Sequence, residues 1–282
     1  MARLPDFVIV GSPRSGTTTM ADWLRAHDDV HIPAKKEVHF FNRLHGRGLD
    51  WYAEHFAAPE PVTGEATPLY LHEPTARRRV AETLPDARFV AILREPVSRA
   101  WSHYHLNRMI GFEPRSFEQA IADELADPTG RPTPDAAISD ESAAFRYLGC
   151  GDYASALEDF FGLVGRDRVL VLFLRDLIAD PEGSYAAVCE HIGVPVTPLP
   201  TVEASHTGGT PRSFRLQHWV GTHRWPRWPF RLGWKIYLDW NISPGYPSMP
   251  APLREQLQAE FAASNAALAQ LLDRELPPSW TT

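Results

Sequence analysis

The sequence predicts a single α/β domain, with a central parallel sheet flanked by helices and a P-loop-like connection after the first strand. Three observations favour this fold class. Short apolar runs alternate with longer helical patterns, a glycine-containing loop follows the first run, and the composition is that of a globular protein. Of the 282 residues, 44% are hydrophobic and 22% are charged, which excludes disordered, collagenous and fibrous chains. We expect one domain over residues 1–282.

Three short apolar runs are typical of strands that are buried on both faces of a sheet. They are Phe7–Val10, Phe89–Leu93 and Val169–Leu174. Apolar residues at helical spacing predict one helix from about Thr17 and another over Leu253–Leu272, near the end of the chain. Alternation of strands with helices indicates a parallel sheet. The acidic, proline-interrupted segment at about 123–142 is expected to be a mobile insertion.

Charge and cysteine content exclude several classes of protein. The net charge of −7 argues against a nucleic-acid partner, because such a protein normally carries excess Lys and Arg. No apolar run approaches the length needed to cross a bilayer, and the N-terminal residues do not resemble a signal peptide, so we expect a cytoplasmic protein. Cys150 and Cys189 are expected to be two buried thiols, and no Cys/His spacing suggests zinc.

The loop after the first predicted strand has the residues of an anion site. Backbone N–H groups and the start of a helix converge there. Its two glycines have the spacing of a nucleotide P-loop, but Thr17 stands where that motif has Lys. The cation of this loop is instead Arg14. The candidate anion-binding residues are Arg14, Ser15, Gly16, Thr17 and Thr18.

A second anion site is predicted after the second apolar run. Pro96 suits a first helical turn, which places Arg94 at the end of the strand and Ser102 two turns into the following helix. Open α/β folds bind ligands at this edge of the sheet, and an arginine suits a phosphate. The alternative is structural: Arg94 could cap a neighbouring helix, with Ser102 on a helix surface.

Taken together, these motifs resemble the sulfotransferase family that uses 3′-phosphoadenosine 5′-phosphosulfate (PAPS). The similarity is greatest to bacterial members and to the heparan-sulfate-type branch. It implies that the loop holds the 5′-phosphosulfate, that Arg94 and Ser102 hold the 3′-phosphate, and that no metal takes part. The product would be adenosine 3′,5′-bisphosphate. Further matching segments lie in family order at Lys36–Phe41, Gly64–Tyr70, Gly151–Tyr153 and Gly208–Ser213.

The segment Lys36–Phe41 supplies the candidate base. If it is extended, Glu37, His39 and Phe41 share one face while Val38 and Phe40 point into the core. The resemblance makes Glu37 the general base, with His39 orienting or assisting it. Transfer of a sulfuryl group to a hydroxyl needs such a proton acceptor.

Each of these assignments has an alternative. Glu37 could be a surface carboxylate paired with Lys35 or Lys36, and His39 could be structural. The small-molecule branch of the family uses a histidine base, which makes His103 and His105 lesser candidates. Arg14, where the family often has Lys, can stabilise developing charge but cannot donate a proton.

The region at about 204–250 is expected to form the acceptor side or a lid. The resemblance makes residues 208–212 a loop that closes over PAPS, with Arg212 on a phosphate. Tyr153 and Phe214 are the candidates to stack on adenine. Residues 219–240 interleave aromatic and basic side chains. They could pack as lid and core, bind an amphiphilic or anionic acceptor, or make weak contact with a membrane surface or lipid.

The sequence therefore predicts an enzyme that moves a sulfuryl group from PAPS to a hydroxyl. The acceptor hydroxyl could belong to a carbohydrate, a lipid-linked sugar or a secondary metabolite, or to a polypeptide tyrosine. One alternative is a P-loop nucleotide kinase, which the missing P-loop lysine disfavours. Another is a non-catalytic nucleotide-binding module, against which the presence of Glu37 argues.

Overall fold

The computed structural model describes residues 3–34, 36–127, 146–202, 208–222 and 237–280. The chain divides into two compact units. The first comprises residues 1–95, 152–205 and 262–282, and the second comprises residues 96–151 and 206–261. The organisation of the whole chain as one functional domain stays a prediction.

A five-stranded parallel sheet forms the centre of the first unit, which confirms the predicted fold class. The predicted strands are present within one or two residues. Two further strands were not predicted, since one has only two residues and the other contains Gly64 and Glu65. In the sheet order β2-β3-β1-β4-β5, the strands are β1 (Phe7–Gly11), β2 (Val30–His31), β3 (Val62–Ala66), β4 (Arg88–Leu93) and β5 (Val169–Phe173).

Helices occupy the positions at which the sequence predicts them, and several more are present. The helix predicted from Thr17 and the C-terminal helix are both confirmed. The helices of the described residues are α1 (Thr17–Arg25), α2 (Leu49–Ala53), α3 (Pro74–Thr83), α4 (Pro96–Ile110), α5 (Phe117–Ala126), α6 (Tyr153–Val164), α7 (Leu174–Ala179), α8 (Pro181–Ile192), α9 (Phe214–Thr222) and α10 (Ala251–Leu272).

Alternate residues of the central strands pack into two separate apolar cores. In β1, Val8 and Val10 face one core, whereas Phe7 and Ile9 face the other. Helices α3 and α6 contribute buried residues to the first core, and α1 and α8 to the second. The sheet is therefore covered on both faces, as its near-continuous apolar strands require.

The second unit contains α4, α5, α9 and the antiparallel pair β6 (Gly209–Pro211) and β7 (Ile242–Pro244). Its apolar core includes Tyr104, Phe117 and Phe261. Helix α5 corrects the start of the predicted mobile insertion, because residues 123–126 are helical. Glu124 there is buried and accepts the N–H groups of Leu148 and Gly149. The remainder of that insertion, from residue 128, lies outside the described residues.

One glycine of β3 tests this packing. Gly64 pairs with Phe7 of β1, and a Cβ at Gly64 would collide with the Phe7 ring. We expect Gly64→Ala to lower the free energy of unfolding by about 1–3 kcal/mol, as overpacking does. The matched control is Gly162→Ala in α6, where a Cβ meets no atom; it should raise stability by about 0.5–1 kcal/mol. Urea unfolding measures both, and a neutral Gly64→Ala would contradict the contact.

Candidate active site

The loop between β1 and α1 has the backbone of an anion cradle. Arg14 has φ of 67° and Gly16 has φ of 87°, both in the left-handed region. Such turns bring successive N–H groups onto one concave side. Gly16 is the N-cap of α1, and no side chain caps the helix. The first N–H groups of α1 are therefore available to an anion.

A buried hydroxyl adds to this cradle. Ser15 is fully buried, and its Oγ has no hydrogen-bond partner among the residues that the structure describes. Buried polar atoms are normally hydrogen-bonded, so Ser15 fits a site whose ligand supplies the partner. Thr17 is buried as well, and Thr18 is half-buried in the first turn of α1.

The far side of the loop is tied to the sheet and the core. The Ser12 N–H donates to the carbonyl of Ile92 in β4, at 2.8 Å. The Ser12 Oγ lies 2.9 Å from Nε2 of His72, which is itself buried. Neither Ser12 nor His72 was predicted from the sequence to belong to the site. These contacts fix the start of the loop to β4 and to His72.

Arg94 reaches the loop from the end of β4. Its Nη1 donates to the carbonyl of Arg14 at 3.1 Å. A guanidinium carries five donor N–H groups, so this contact still leaves donors for a phosphate. The structure therefore brings Arg14 and Arg94 together at the carboxyl ends of β1 and β4, as the sequence predicts.

Tyr153 is buried and hydrogen-bonded to the backbone of Arg94. Its hydroxyl donates to the Arg94 carbonyl at 2.8 Å, and its side chain is only 1% exposed. The ring packs near Trp280 and His72, with centroid distances of 5.8 Å and 6.1 Å. This burial and the hydrogen bond indicate that Tyr153 positions Arg94, and its stacking on adenine stays a prediction.

Three other candidate residues lie in the second unit. Ser102 is buried in the second turn of α4, the helical position that its spacing predicts. Arg212 is exposed, and its Nε donates to Ser243 Oγ at 3.1 Å. Phe214, the other candidate for stacking, is covered by the Arg108 guanidinium at 3.8 Å from the ring centroid, so that face of its ring is not open to adenine.

Part of the predicted lid is also described in this unit. Trp219 and Trp240 are exposed. The remaining tryptophans of the 219–240 segment fall within residues 223–236, which lie outside the described residues. The roles considered for this segment stay predictions.

Glu37 and His39 contact each other directly. Glu37 Oε2 lies 3.3 Å from His39 Nε2. The Glu37 N–H donates to the carbonyl of Ala66, the last residue of β3. The segment is not extended, however, since Glu37 and His39 have φ of 63° and 57°. These turns place both side chains together by a different path from the one predicted.

The same turns bury Phe41, which an extended segment would have placed beside Glu37. Phe41 is fully buried and lies in a turn of π-helix over Phe40–Leu44. Its backbone N–H donates to the Tyr70 hydroxyl at 3.3 Å. The predicted face therefore holds Glu37 and His39 but not Phe41.

Lys36 links this pair to the loop between β1 and α1, residues 11–19, which is called the phosphate loop below. Its Nζ donates to Thr18 Oγ1 at 2.6 Å and to Glu37 Oε1 at 3.2 Å. From the sequence, Lys36 was considered as the partner of Glu37 in a surface ion pair. The position of Lys36 directly before the candidate base Glu37 was the available signal, and the contact with Thr18 could come only from the fold.

The surroundings of Glu37 favour the ionised form of its carboxyl group. Burial raises the pKa of Glu37, but the His39 hydrogen bond and the charges of Lys36 and His39 outweigh it. The pKa falls from 4.5 to about 2. Glu37 is therefore ionised in the free protein.

A second carboxyl group lies in the core of the same unit. Glu65 in β3 is almost completely buried and accepts hydrogen bonds from the hydroxyls of Tyr52 and Thr67. Burial raises the pKa of Glu65, against the lowering effects of its hydroxyl partners and of the His39 charge. Its hydrogen bonds within the core indicate a structural role behind His39.

The two lesser base candidates have structural surroundings. His103 Nδ1 lies 3.2 Å from Nη1 of the buried Arg99. His105 stacks on Tyr246 with ring centroids 4.7 Å apart. Burial and then the Arg108 charge lower the pKa of His105 from 6.5 to about 4. Both histidines thus have partners within the second unit.

Two searches of the described residues bear on other classes of site. Within those ranges, no three His, Cys, Asp or Glu side chains come together as a metal site. None of the helices in the described part of the chain has the length and apolar character needed to span a membrane.

Comparisons with known proteins agree with this geometry. Residues 4–207 match a family model described as a sulfotransferase domain. The membrane-associated sulfotransferase kil1 of Dictyostelium discoideum is 37% identical over 109 residues, 37% of this chain and 23% of that protein. The bifunctional heparan sulfate N-deacetylase/N-sulfotransferase 3 of Homo sapiens is 30% identical over 292 residues, 99% of this chain and 31% of the human protein.

The chain therefore aligns with less than a third of the length of each of these two relatives. A solved structure is similar over its whole length. The crystal structure of a sulfotransferase from Alicyclobacillus acidocaldarius has a TM-score of 0.74 and 25% sequence identity. The match covers 99% of this chain and 100% of that one.

The surroundings of His105 predict a pH dependence of stability. Its pKa is about 4 in the folded protein and 6.5 ordinarily, so the unfolded chain takes up the proton first. Stability should therefore fall as the pH drops from about 6.5 to 4. In His105→Phe this part of the fall should vanish. Urea unfolding at about pH 7 and pH 4.5 measures both proteins, and equal losses would show that His105 is not buried as a neutral ring.

Proposed function

The chain belongs to the sulfotransferase domain family, and we propose that it transfers a sulfuryl group from PAPS to an acceptor hydroxyl. The observation that carries this proposal is the link from the base to the phosphate loop. Glu37, Lys36 and Thr18 form one chain of hydrogen bonds. A proton acceptor is thereby held beside the loop that would hold the donor.

The donor's 5′-phosphosulfate is assigned to the loop. The N–H groups at the start of α1, together with Ser15, Thr17 and Thr18, supply neutral donors, and Arg14 supplies a positive charge. The loop lacks the lysine with which nucleotide P-loops hold β- and γ-phosphates. A single phosphate carrying a sulfuryl group matches this smaller set of donors.

Transfer then requires one bond to form and one to break. The acceptor oxygen attacks the sulfur while the bond from sulfur to the bridging phosphate oxygen breaks. The acceptor proton passes to Glu37, and the electron pair of the broken bond stays on adenosine 3′,5′-bisphosphate. Arg14 is charged at any accessible pH and stabilises that developing negative charge. His39 orients the Glu37 carboxylate through its hydrogen bond.

The 3′-phosphate is assigned to Arg94 and Ser102, and a closing loop contact to Arg212. These assignments rest on the sequence motif. The position of Arg94 at the phosphate loop supports the first of them. Tyr153 supports it further, because its hydroxyl fixes the backbone from which the Arg94 side chain extends.

The acceptor class that we propose is a carbohydrate hydroxyl. The human relative, which is 30% identical over almost all of this chain, supports the carbohydrate because its name includes heparan sulfate. It is named as an N-sulfotransferase, so the choice of a hydroxyl rests on Glu37. A hydroxyl suits Glu37, because a carboxylate can accept its proton as the new bond forms. A lipid-linked sugar presents the same chemistry and remains within this proposal.

The donor assignment predicts a specific ligand preference. Adenosine 3′,5′-bisphosphate should raise the melting temperature through preferential binding to the folded state. ATP with Mg²⁺ should raise it much less, because the loop has no P-loop lysine. Differential scanning fluorimetry compares the two ligands at equal concentration. Equal shifts, or a larger one with ATP, would favour a nucleotide kinase instead.

The base assignment predicts a loss of turnover without a loss of binding. Glu37→Gln keeps the size of the side chain and should reduce transfer of ³⁵S from PAPS to a heparan-sulfate oligosaccharide by about 10²–10⁴-fold. The affinity for adenosine 3′,5′-bisphosphate should stay within about threefold of the wild-type value, since the contacts that bind the nucleotide are retained. Glu54→Gln, at an exposed glutamate, is the control. Parallel loss of binding and turnover would make Glu37 structural.

A further inference from the structure

Lys36 occupies a position that the proposed transfer reaction has not yet used. Its ammonium donates to Thr18, at the start of α1, and to Glu37, the proposed base. An ammonium has three donor hydrogens, so one side chain can span both partners. Lys36 is 21% exposed and Glu37 is 38% exposed, which leaves both within reach of a ligand.

This contact has two opposing effects on Glu37. It holds the carboxylate next to the loop, where an acceptor hydroxyl would meet the donor. It also helps to lower the pKa of Glu37 to about 2. General bases work best when their pKa lies near the operating pH. The contact that positions Glu37 in the free protein therefore also makes it a weak base.

A bound donor would change this balance. The oxygens of a phosphosulfate held by the loop would be strong acceptors close to Thr18, which now accepts from Lys36. A hydrogen bond from an ammonium to a charged oxygen is stronger than one to a neutral hydroxyl. His39 would still hold Glu37 in place through its own contact.

We propose that Lys36 is a positioning residue that couples donor binding to activation of the base. When PAPS binds, its sulfuryl and phosphate oxygens take the hydrogen bonds of the Lys36 ammonium. The hold of Lys36 on Glu37 weakens, and the carboxylate becomes more basic only when a donor is present. This inference rests on the proposed function.

The chemistry of the two cations supports a division of labour. The loop, residues 11–19, contains no lysine, and its own cation is Arg14. Lys36 stands outside the loop on a flexible stem with three rotatable donors, unlike the planar guanidinium. A lysine is therefore suited to change partners, whereas Arg14 supplies a constant charge.

The test compares Lys36→Met with Lys35→Met, which removes the same charge from the preceding position. PAPS turnover is followed by release of adenosine 3′,5′-bisphosphate, with water as the accepting hydroxyl. We expect Lys36→Met to weaken PAPS binding about tenfold and bisphosphate binding less than about threefold, since the bisphosphate lacks sulfuryl oxygens. Lys35→Met should change neither, and Lys36→Arg should restore most of the PAPS affinity.

The pH profile distinguishes coupling from a structural role. Without Lys36, the pKa of Glu37 rises in the free protein. Between about pH 8 and pH 5, kcat/KM for PAPS, which reports the free protein, should therefore fall more steeply in Lys36→Met than in Lys35→Met. A purely structural Lys36 would lower both nucleotide affinities together and leave the profile unchanged.

That structural outcome would overturn the proposal, as would a Lys36→Met protein with the PAPS affinity and pH profile of the control. In both cases the proposed function is tested separately by wild-type transfer of ³⁵S from PAPS to the heparan-sulfate oligosaccharide, and it stands if that transfer is observed. If the wild-type protein binds neither PAPS nor adenosine 3′,5′-bisphosphate, the proposed function fails as well. The two failures are thus separate.

Discussion

The candidate site depends on the side-by-side pairing of three parallel strands, β3, β1 and β4. Their carboxyl ends carry the three parts of the site. The Glu37 backbone is held on the last residue of β3, the phosphate loop follows β1, and Arg94 follows β4. Because the strands are buried on both faces, the core fixes these ends relative to one another. The packing of the sheet therefore determines the geometry of the site.

Within that frame, the charges near Glu37 serve two needs that conflict. A carboxylate beside a phosphate loop must be kept in place and ionised while an anionic donor approaches. Lys36 and His39 do this, and they lower the pKa of Glu37 to about 2. Catalysis needs the opposite, a base of higher pKa. The proposed role of Lys36 resolves the conflict. A bound donor would draw the Lys36 ammonium away from Glu37 and so raise the pKa of that carboxylate.

The parts of the site that directly follow a predicted strand in the sequence could be predicted. The phosphate loop and Arg94 follow apolar strands directly, and parallel strands bring their ends to one edge. Strand β3 was missed because Gly64 and Glu65 interrupt its apolar character, and each is explained only by tertiary contacts. Gly64 makes room for the Phe7 ring, and Glu65 needs the hydroxyls of Tyr52 and Thr67.

The left-handed turns at Glu37 and His39 were also beyond the sequence, since neither residue favours that conformation strongly. The turns have a consequence for function. An extended segment would alternate its side chains between two faces and would carry Phe41 to the base. The observed path buries Phe41 instead and keeps both Lys36 and His39 in contact with Glu37. Two titratable residues, Lys36 and His39, thereby act on the Glu37 carboxylate.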